Sequence, residues 1–507
     1  MKTHAGHDEQ AAGTPACLPS TAQLLTAGGD ARIALDAVTG LNAYGCSPYP
    51  EPELLAYGSS TASVISPEGY GYAQRMRQRL LHALGSASAA TVYALELRRI
   101  RAELRDLCAL PDNTEIIFSP SGTDAHSVAA QYTGSGTTSP ARIVMIDANE
   151  TGRGVRAALD GSRLTVASGH PAPEIVAVSV RLADGSTRPA TDIDADVSEL
   201  VSIAAKANRR VLLILVDQSK TGLLAPSLHC VLALQRQYPH NIDMLVDACQ
   251  FRIAQPTLRA YLQQGFIVAL TGSKFLSGPS FSAALLVPPQ TAHQLALRPF
   301  PNALSASSSK SDWPANWTTT AHDAQTSAFG LLLRWEIAAQ ELRAFRAIPL
   351  ALTIGIIKDF TAAILQRLHN NPHFKPLAVP ALDRRPLLTD DSWDHLQTIF
   401  PFLLYHADAG RKPLSMEETM LVYRQLPTTL DSYQGNTATR CQLGQPVACG
   451  KRDGIMVSAL RLCISTRLIV QAVADKDGGL RVITGALAAL DKTALLIRSL
   501  PTTDFHH

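Results

Sequence analysis

Residues 244–288 read MLVDACQFRIAQPTLRAYLQQGFIVALTGSKFLSGPSFSAALLVP. One apolar run ends on Asp247, a second ends on Thr271-Gly272-Ser273-Lys274, and a third begins at Ser282. A crossover of mixed polarity separates the first two, so they read as neighbouring parallel strands. Parallel strands put their C-terminal ends on one rim of the sheet, where open α/β folds place their sites. Asp247 and Lys274 are therefore expected to face each other across that rim. Two such charges are either incidental or two parts of one site, and the rest of the chain has to decide.

Outward from this stretch, short apolar runs recur at 115–118, 143–146, 175–178, 211–216, 244–246, 266–270 and 283–287. Most are separated by segments able to form helices, such as DVSELVSIAAKANRR. Runs that are apolar on both faces fit strands covered by helices on either side. Strand and helix in alternation predict an α/β domain on a seven-stranded, mostly parallel sheet. Ahead of it, helical periodicity starts near Ala73 and runs to Pro111-Asp112-Asn113. Beyond it, helices are expected over about 324–345 and 350–368, then short mixed elements. The expected division is an N-terminal arm at 1–74, a large domain at 75–295, a linker or site-lining loop at 296–320, and a smaller α+β domain at 321–507. The first 30 or so residues read as a loose start. The Gly, Pro, Ser and Tyr content of 41–72 reads as a loop that either wraps a surface or lines a site.

Composition narrows the function classes. Among 507 residues, 45 Lys and Arg nearly balance 43 Asp and Glu, which gives no field for nucleic acid or a membrane surface. The eight cysteines form no CxxC pair and read as reduced thiols. No apolar stretch approaches the ~20 residues of a spanning helix, and no secretory pattern opens the chain. The expectation is a soluble, cytoplasmic protein with a small-molecule substrate.

Several residues suit one chemistry. Ser121-Gly122-Thr123 follows the first strand and opens a helix, whose free N–H groups and dipole favour a phosphate, although such turns also serve as plain N-caps. A carboxylate at Asp247 suits a protonated pyridine nitrogen, or else an ordinary turn. Lys274, in a small-residue context at the rim, suits an amine of lowered pKa able to form an imine. Arg461, in ALRLCIS, presents a fork for a carboxylate, or else a salt-bridged arginine.

As a set, these residues resemble the fold-type I pyridoxal-phosphate enzymes, and within them the class V aminotransferase and cysteine desulfurase group. The resemblance covers about residues 95–290 well and the C-terminal part weakly. It implies that Lys274 carries the cofactor as a Schiff base and that Asp247 and Gln250 of DACQ meet its ring. Ser121, Gly122, Thr123, Thr271 and Ser273 would hold its phosphate, with Ser273 in place of the group's histidine. Ser219-Lys220-Thr221-Gly222 matches an Asn-Glu-Thr-Gly segment, so Ser219 would stand near the ring oxygen. The group's stacking aromatic is missing from Asn149-Glu150-Thr151-Gly152-Arg153, so Glu150, Thr151 or an aromatic from elsewhere would cover the ring.

The resemblance also implies Arg461 on the substrate carboxylate and a homodimer, with Tyr70, Tyr72 and residues 58–63 reaching a site, a partner's included. Cys441 and Cys449 lie in RCQLGQPVACGKRDG, read as a mobile loop, and are taken as structural thiols. Transamination of a small amino-acid-like substrate is the first expectation. A desulfurase, a C–S lyase or another β/γ-eliminating enzyme is the alternative. A cofactor-free binding protein on the same fold remains the non-enzyme reading.

Overall fold

The computed structural model describes residues 18–306, 308–317, 327–389, 392–407, 411–429 and 439–500. All seven expected strands form one sheet. Its order is Glu115–Ser119, Ala283–Val287, Ile267–Thr271, Ile242–Ala248, Val211–Asp217, Arg142–Ile146, Glu174–Val178. Only Ala283–Val287 runs antiparallel to its neighbours. A short strand, Leu224–Ala225, adds to the end of Val211–Asp217. The central strands Val211–Asp217 and Ile242–Ala248 are buried at every residue. Helices on both faces explain why these strands are continuously apolar and not alternating. Each Leu, Ile or Val enclosed there contributes about 1.5–3 kcal/mol.

The first long helix is Pro67–Leu84, starting earlier than the apolar period. Ser66 Oγ accepts from the Gly69 N–H at 3.0 Å, and Pro67 occupies the first turn, where its missing N–H costs nothing. It is followed by Ala89–Cys108, which ends on Ala109 in the left-handed region. Phe329–Arg346 packs on both, and the chain then turns at Pro349 into Leu350–Asn370.

From residue 18 the N-terminal arm is built in, and the start of the segment expected to be loose lies outside the described residues. Thr21–Leu25 is a capped helical turn whose Leu24 and Leu25 are buried. Arg334 is fully buried and donates to the carbonyls of Ala27 at 2.7 Å and Phe281 at 2.7 Å, tying the arm to the sheet domain. Further along, Leu55–Ala56 pairs in parallel with Cys441–Gln442.

The C-terminal part carries a four-stranded antiparallel sheet in the order Phe374–Pro376, Ile399–Leu404, Ile455–Cys463, Gly444–Arg452. The segment around Cys441 and Cys449, expected as a mobile loop, is strand. Arg452 pairs with Ile455 across Asp453-Gly454, both at positive φ, as a two-residue hairpin turn requires. The segment after residue 296 docks its aromatic rings on the large domain. Trp317 and Phe300 pack on Tyr132, with ring centroids 5.3 and 6.1 Å away.

Candidate active site at the sheet rim

The strand ends deliver Asp247 and Lys274 to one cavity. Asp247 is the sixth residue of the buried strand Ile242–Ala248, and Lys274 lies three residues past Ile267–Thr271. His126, buried and absent from the expected set, faces Asp247 with Nε2 3.2 Å from Oδ2. Nε2 has no other partner among the described residues. On its other side His126 Nδ1 sits 2.6 Å from the Gly122 carbonyl. Burial pushes the Asp247 carboxyl up, but His126 and Lys274 outweigh it and hold the group well below the usual carboxylate range. The same pairing raises His126 against its burial. Cys249 N–H donates to Asp247 Oδ1 at 3.1 Å and fixes the carboxylate's other oxygen.

A guanidinium, two hydroxyls and a helix start lie beside this pair. Helix Gly122–Gly134 starts at the end of strand Glu115–Ser119 and is capped by Ser121, whose hydroxyl bonds Asp124 at 2.7 Å. Thr123 and Ser121 hydroxyls both receive Arg32, at 3.1 and 3.2 Å. Arg32 is held by Asp30 and lies over the Phe281 ring, 5.2 Å from its centroid. Thr271 Oγ1 donates to the Cys249 carbonyl at 2.6 Å, and Ser273 Oγ reaches Thr271 Oγ1 at 3.4 Å. Gly122 is required by packing, because a Cβ there would stand 2.7 Å from Cys249 Sγ.

Three expected site residues do not line the cavity. Glu150 is buried behind it and accepts from Arg181, Ser219 and Thr221, each at 2.7 Å. Burial pushes its carboxyl up, but Arg181 and the two hydroxyls outweigh that and keep it ionised. Glu150 is thus locked in a network behind the cavity, and Ser219 is held there with it. Gln250 donates to the Ser60 carbonyl at 3.0 Å, while its buried Oε1 has no partner.

Arg461 does line the cavity, 2% exposed. Its guanidinium donates to the carbonyls of Gln445, Ser60 and Lys220 and, at 2.9 Å, to Thr61 Oγ1. No carboxylate pairs with it among the described residues. Burial lowers its affinity for the proton. Lys220 also enters the cavity, its Nζ 3.2 Å from the Asn149 carbonyl. Burial, aided by the like charges of Arg461, Lys274 and Arg153, pushes its amine down to about 7.

The cavity measures about 580 Å³. Its aromatic walls are Tyr44 and Phe281, and Ser60 and Thr61 of the arm reach it within one chain. Tyr70 and Tyr72 do not; Tyr70 packs on Tyr49 with centroids 5.9 Å apart. None of the described residues of 296–320 lines it. All seven described cysteines are buried, and burial pushes the Cys441 and Cys449 thiols up to about 11. Among the described residues no single helix is long and apolar enough to cross a membrane.

No family model matches the chain, and no curated protein matches it in sequence. Solved structures do match in fold. The cystine C–S lyase C-DES, solved with its reaction product cysteine persulfide, has a TM-score of 0.53 and 15% identity over 86% of this chain and 97% of its own. A NifS-like protein from Rickettsia africae gives 0.50 and 11% over 87% and 99%. The Sphingomonas wittichii serine palmitoyltransferase gives 0.50 and 11% over 87% and 88%. At such identities the likeness speaks to architecture alone. The chain has the fold of the fold-type I pyridoxal-phosphate enzymes.

Proposed function

We propose that the protein is a pyridoxal-phosphate enzyme acting at the α-carbon of a small amino-acid-like substrate. The observation that carries this reading is the buried carboxyl of Asp247, 3.2 Å from His126 Nε2 and in the same cavity as Lys274. The residues present fit the cofactor. Arg32, the hydroxyls of Ser121 and Thr123, and the start of helix Gly122–Gly134 suit a phosphate dianion. Thr271 and Ser273 border that cradle, and Ser60 Oγ, which lines the same cavity, is a buried polar atom without a partner. When bound, the cofactor supplies an electron sink for negative charge at the substrate's α-carbon.

The chain's own groups do the rest. Asp247 would keep a proton on the cofactor's pyridine nitrogen, with His126 and the Cys249 N–H orienting the carboxylate. Lys274 would hold the cofactor, and its amine would move the proton at the substrate's α-carbon. Arg461 takes the substrate's α-carboxylate, and a buried guanidinium without a carboxylate is suited to it. Glu150, Ser219 and Thr221 act through position, shaping the wall beneath Lys220.

Transamination is the first reading of the reaction. A carbon–sulfur lyase is the second, favoured by the likeness to the cystine C–S lyase C-DES. The homodimer implied by the resemblance belongs to the same reading, and light scattering on the purified protein checks it. To separate the reactions, the loaded protein is incubated with an amino-acid panel while keto acid, ammonia and sulfide are followed. Keto acid formed only with an amino acceptor supports transamination. Ammonia or sulfide released without an acceptor refutes it and selects elimination.

A further inference from the structure

The cavity carries more positive charge than the cofactor needs. Its described lining includes Arg32, Arg153, Lys220, Lys274 and Arg461, against Asp247 as the acid. Arg32 is paired with Asp30 and aimed at the phosphate cradle, and Asp247 is answered by His126. Lys274 is the attachment point. Three cations remain: Arg461, Lys220 and Arg153.

None of the three has an ion pair among the described residues. Arg461 meets only carbonyls and a hydroxyl, and the closest acid behind it, Glu150, is held by Arg181, Ser219 and Thr221. Lys220 Nζ meets the Asn149 carbonyl at 3.2 Å, and its own carbonyl accepts from Arg461 at 3.3 Å, which places the two side by side. Arg153 is exposed at the mouth, next to the turn that carries Asn149 and Gly152 into the cavity. One α-carboxylate neutralises one of these three. Crowding the other two without an anion is unfavourable at low dielectric.

We propose that the substrate is an amino acid with an acidic side chain, its α-carboxylate on Arg461 and its side-chain anion on Lys220 and Arg153. This rests on the cofactor reading above and adds the substrate's class. The depressed amine of Lys220 agrees, since an incoming anion restores the charge that its like-charged neighbours oppose. Cofactor and a small dicarboxylate together fit a cavity of 580 Å³, inside the ~300–1,000 Å³ range of ligand sites.

The test uses full-length protein loaded with pyridoxal phosphate and two unreactive acids, glutarate and butyrate, in titration calorimetry. Glutarate is expected to bind about tenfold tighter than butyrate, the margin one charge-assisted contact supplies. Lys220→Met and Arg153→Met should each bring glutarate down toward butyrate, and Lys220→Arg should restore most of the difference. Equal binding of the two acids by the unmodified protein overturns the inference, as does a preference that survives in both methionine variants. The cofactor's absorbance is read on the same samples. If it is present while the preference is absent, the substrate class falls and the cofactor reading stands. If the cofactor fails to load, both fall together.

Discussion

Arg32 is the residue that the structure adds to the phosphate cradle, and replacing it by leucine tests the cradle directly. Its guanidinium reaches Thr123 Oγ1 at 3.1 Å and Ser121 Oγ at 3.2 Å, so it stands where a phosphate oxygen at the helix start would meet it. A hydrogen bond to a charged group contributes roughly 1.5–3 kcal/mol. The side chain is 26% exposed and shares its charge with Asp30, and both facts place the effect at the low end. About 1.5 kcal/mol corresponds to a little over tenfold in affinity. Removing Arg32 also leaves Asp30 facing the cradle. Burial pushes that carboxyl up and Arg32 is the main group that holds it down, with Arg163 the cation left beside it, so the variant also loses the cation that balances Asp30.

Arg32→Leu is therefore expected to weaken pyridoxal phosphate binding about tenfold or more, measured by absorbance titration of the cofactor-free protein. Arg32→Lys should fall between the two. Raising the salt should weaken binding to the unmodified protein more than to the leucine variant. An affinity for Arg32→Leu within twofold of the parent, with an unchanged thermal midpoint, refutes the placement of phosphate at Ser121 and Thr123.

Three further outcomes follow from the packing and charge. Burial and the like charges of Arg461, Lys274 and Arg153 push the Lys220 amine down to about 7 from the ordinary 10.5, so the unfolded chain binds the extra proton between these values and stability rises with pH across that window. Lys220→Met should accordingly stabilise the cofactor-free protein at pH 6 and lose that advantage by about pH 10.5 in urea unfolding. Gly122→Ala drives a Cβ to 2.7 Å from Cys249 Sγ and 3.1 Å from Thr271 Cγ2, and should cost about 1–3 kcal/mol, with Cys249→Ala relieving part of it. Arg384 and Asp217 are fully buried and bonded twice at 2.7 Å, so Arg384→Met should lose about 3–5 kcal/mol by leaving Asp217 uncompensated, and adding Asp217→Leu should recover part.

The sheet was legible because parallel strands between helix layers are apolar on both faces, and all seven such runs became strands. Asp247 and Lys274 were legible for a related reason: each closes or follows a buried run, and the rim brings run ends together. Arg32 was not. It lies 91 residues from Thr123 in a segment without period, and only the arm's docking through Arg334 carries it to the cradle. His126 sits one helical turn beyond Gly122, yet its meaning depends on Asp247, which belongs to another strand.

Two signals were present in the chain and outweighed by composition. Ser66-Pro67-Glu68 is a helix start, masked by the glycines and tyrosines that follow it. Asp453-Gly454 is a hairpin turn, masked by the glycine and proline content of 440–454. Glu150 shows the opposite limit. Its position after the strand ending at Ile146 suggested a ring contact, but Arg181, Ser219 and Thr221 offer it a fully satisfied site behind the wall.

The central claim is that Lys274, opposite Asp247, carries pyridoxal phosphate. Its most direct measurement is the visible spectrum of purified protein before and after the cofactor is added and unbound cofactor removed. A protein-bound band near ~420 nm that Lys274→Ala abolishes is the expected result. No band in the unmodified protein, or a band that Lys274→Ala leaves unchanged, contradicts it.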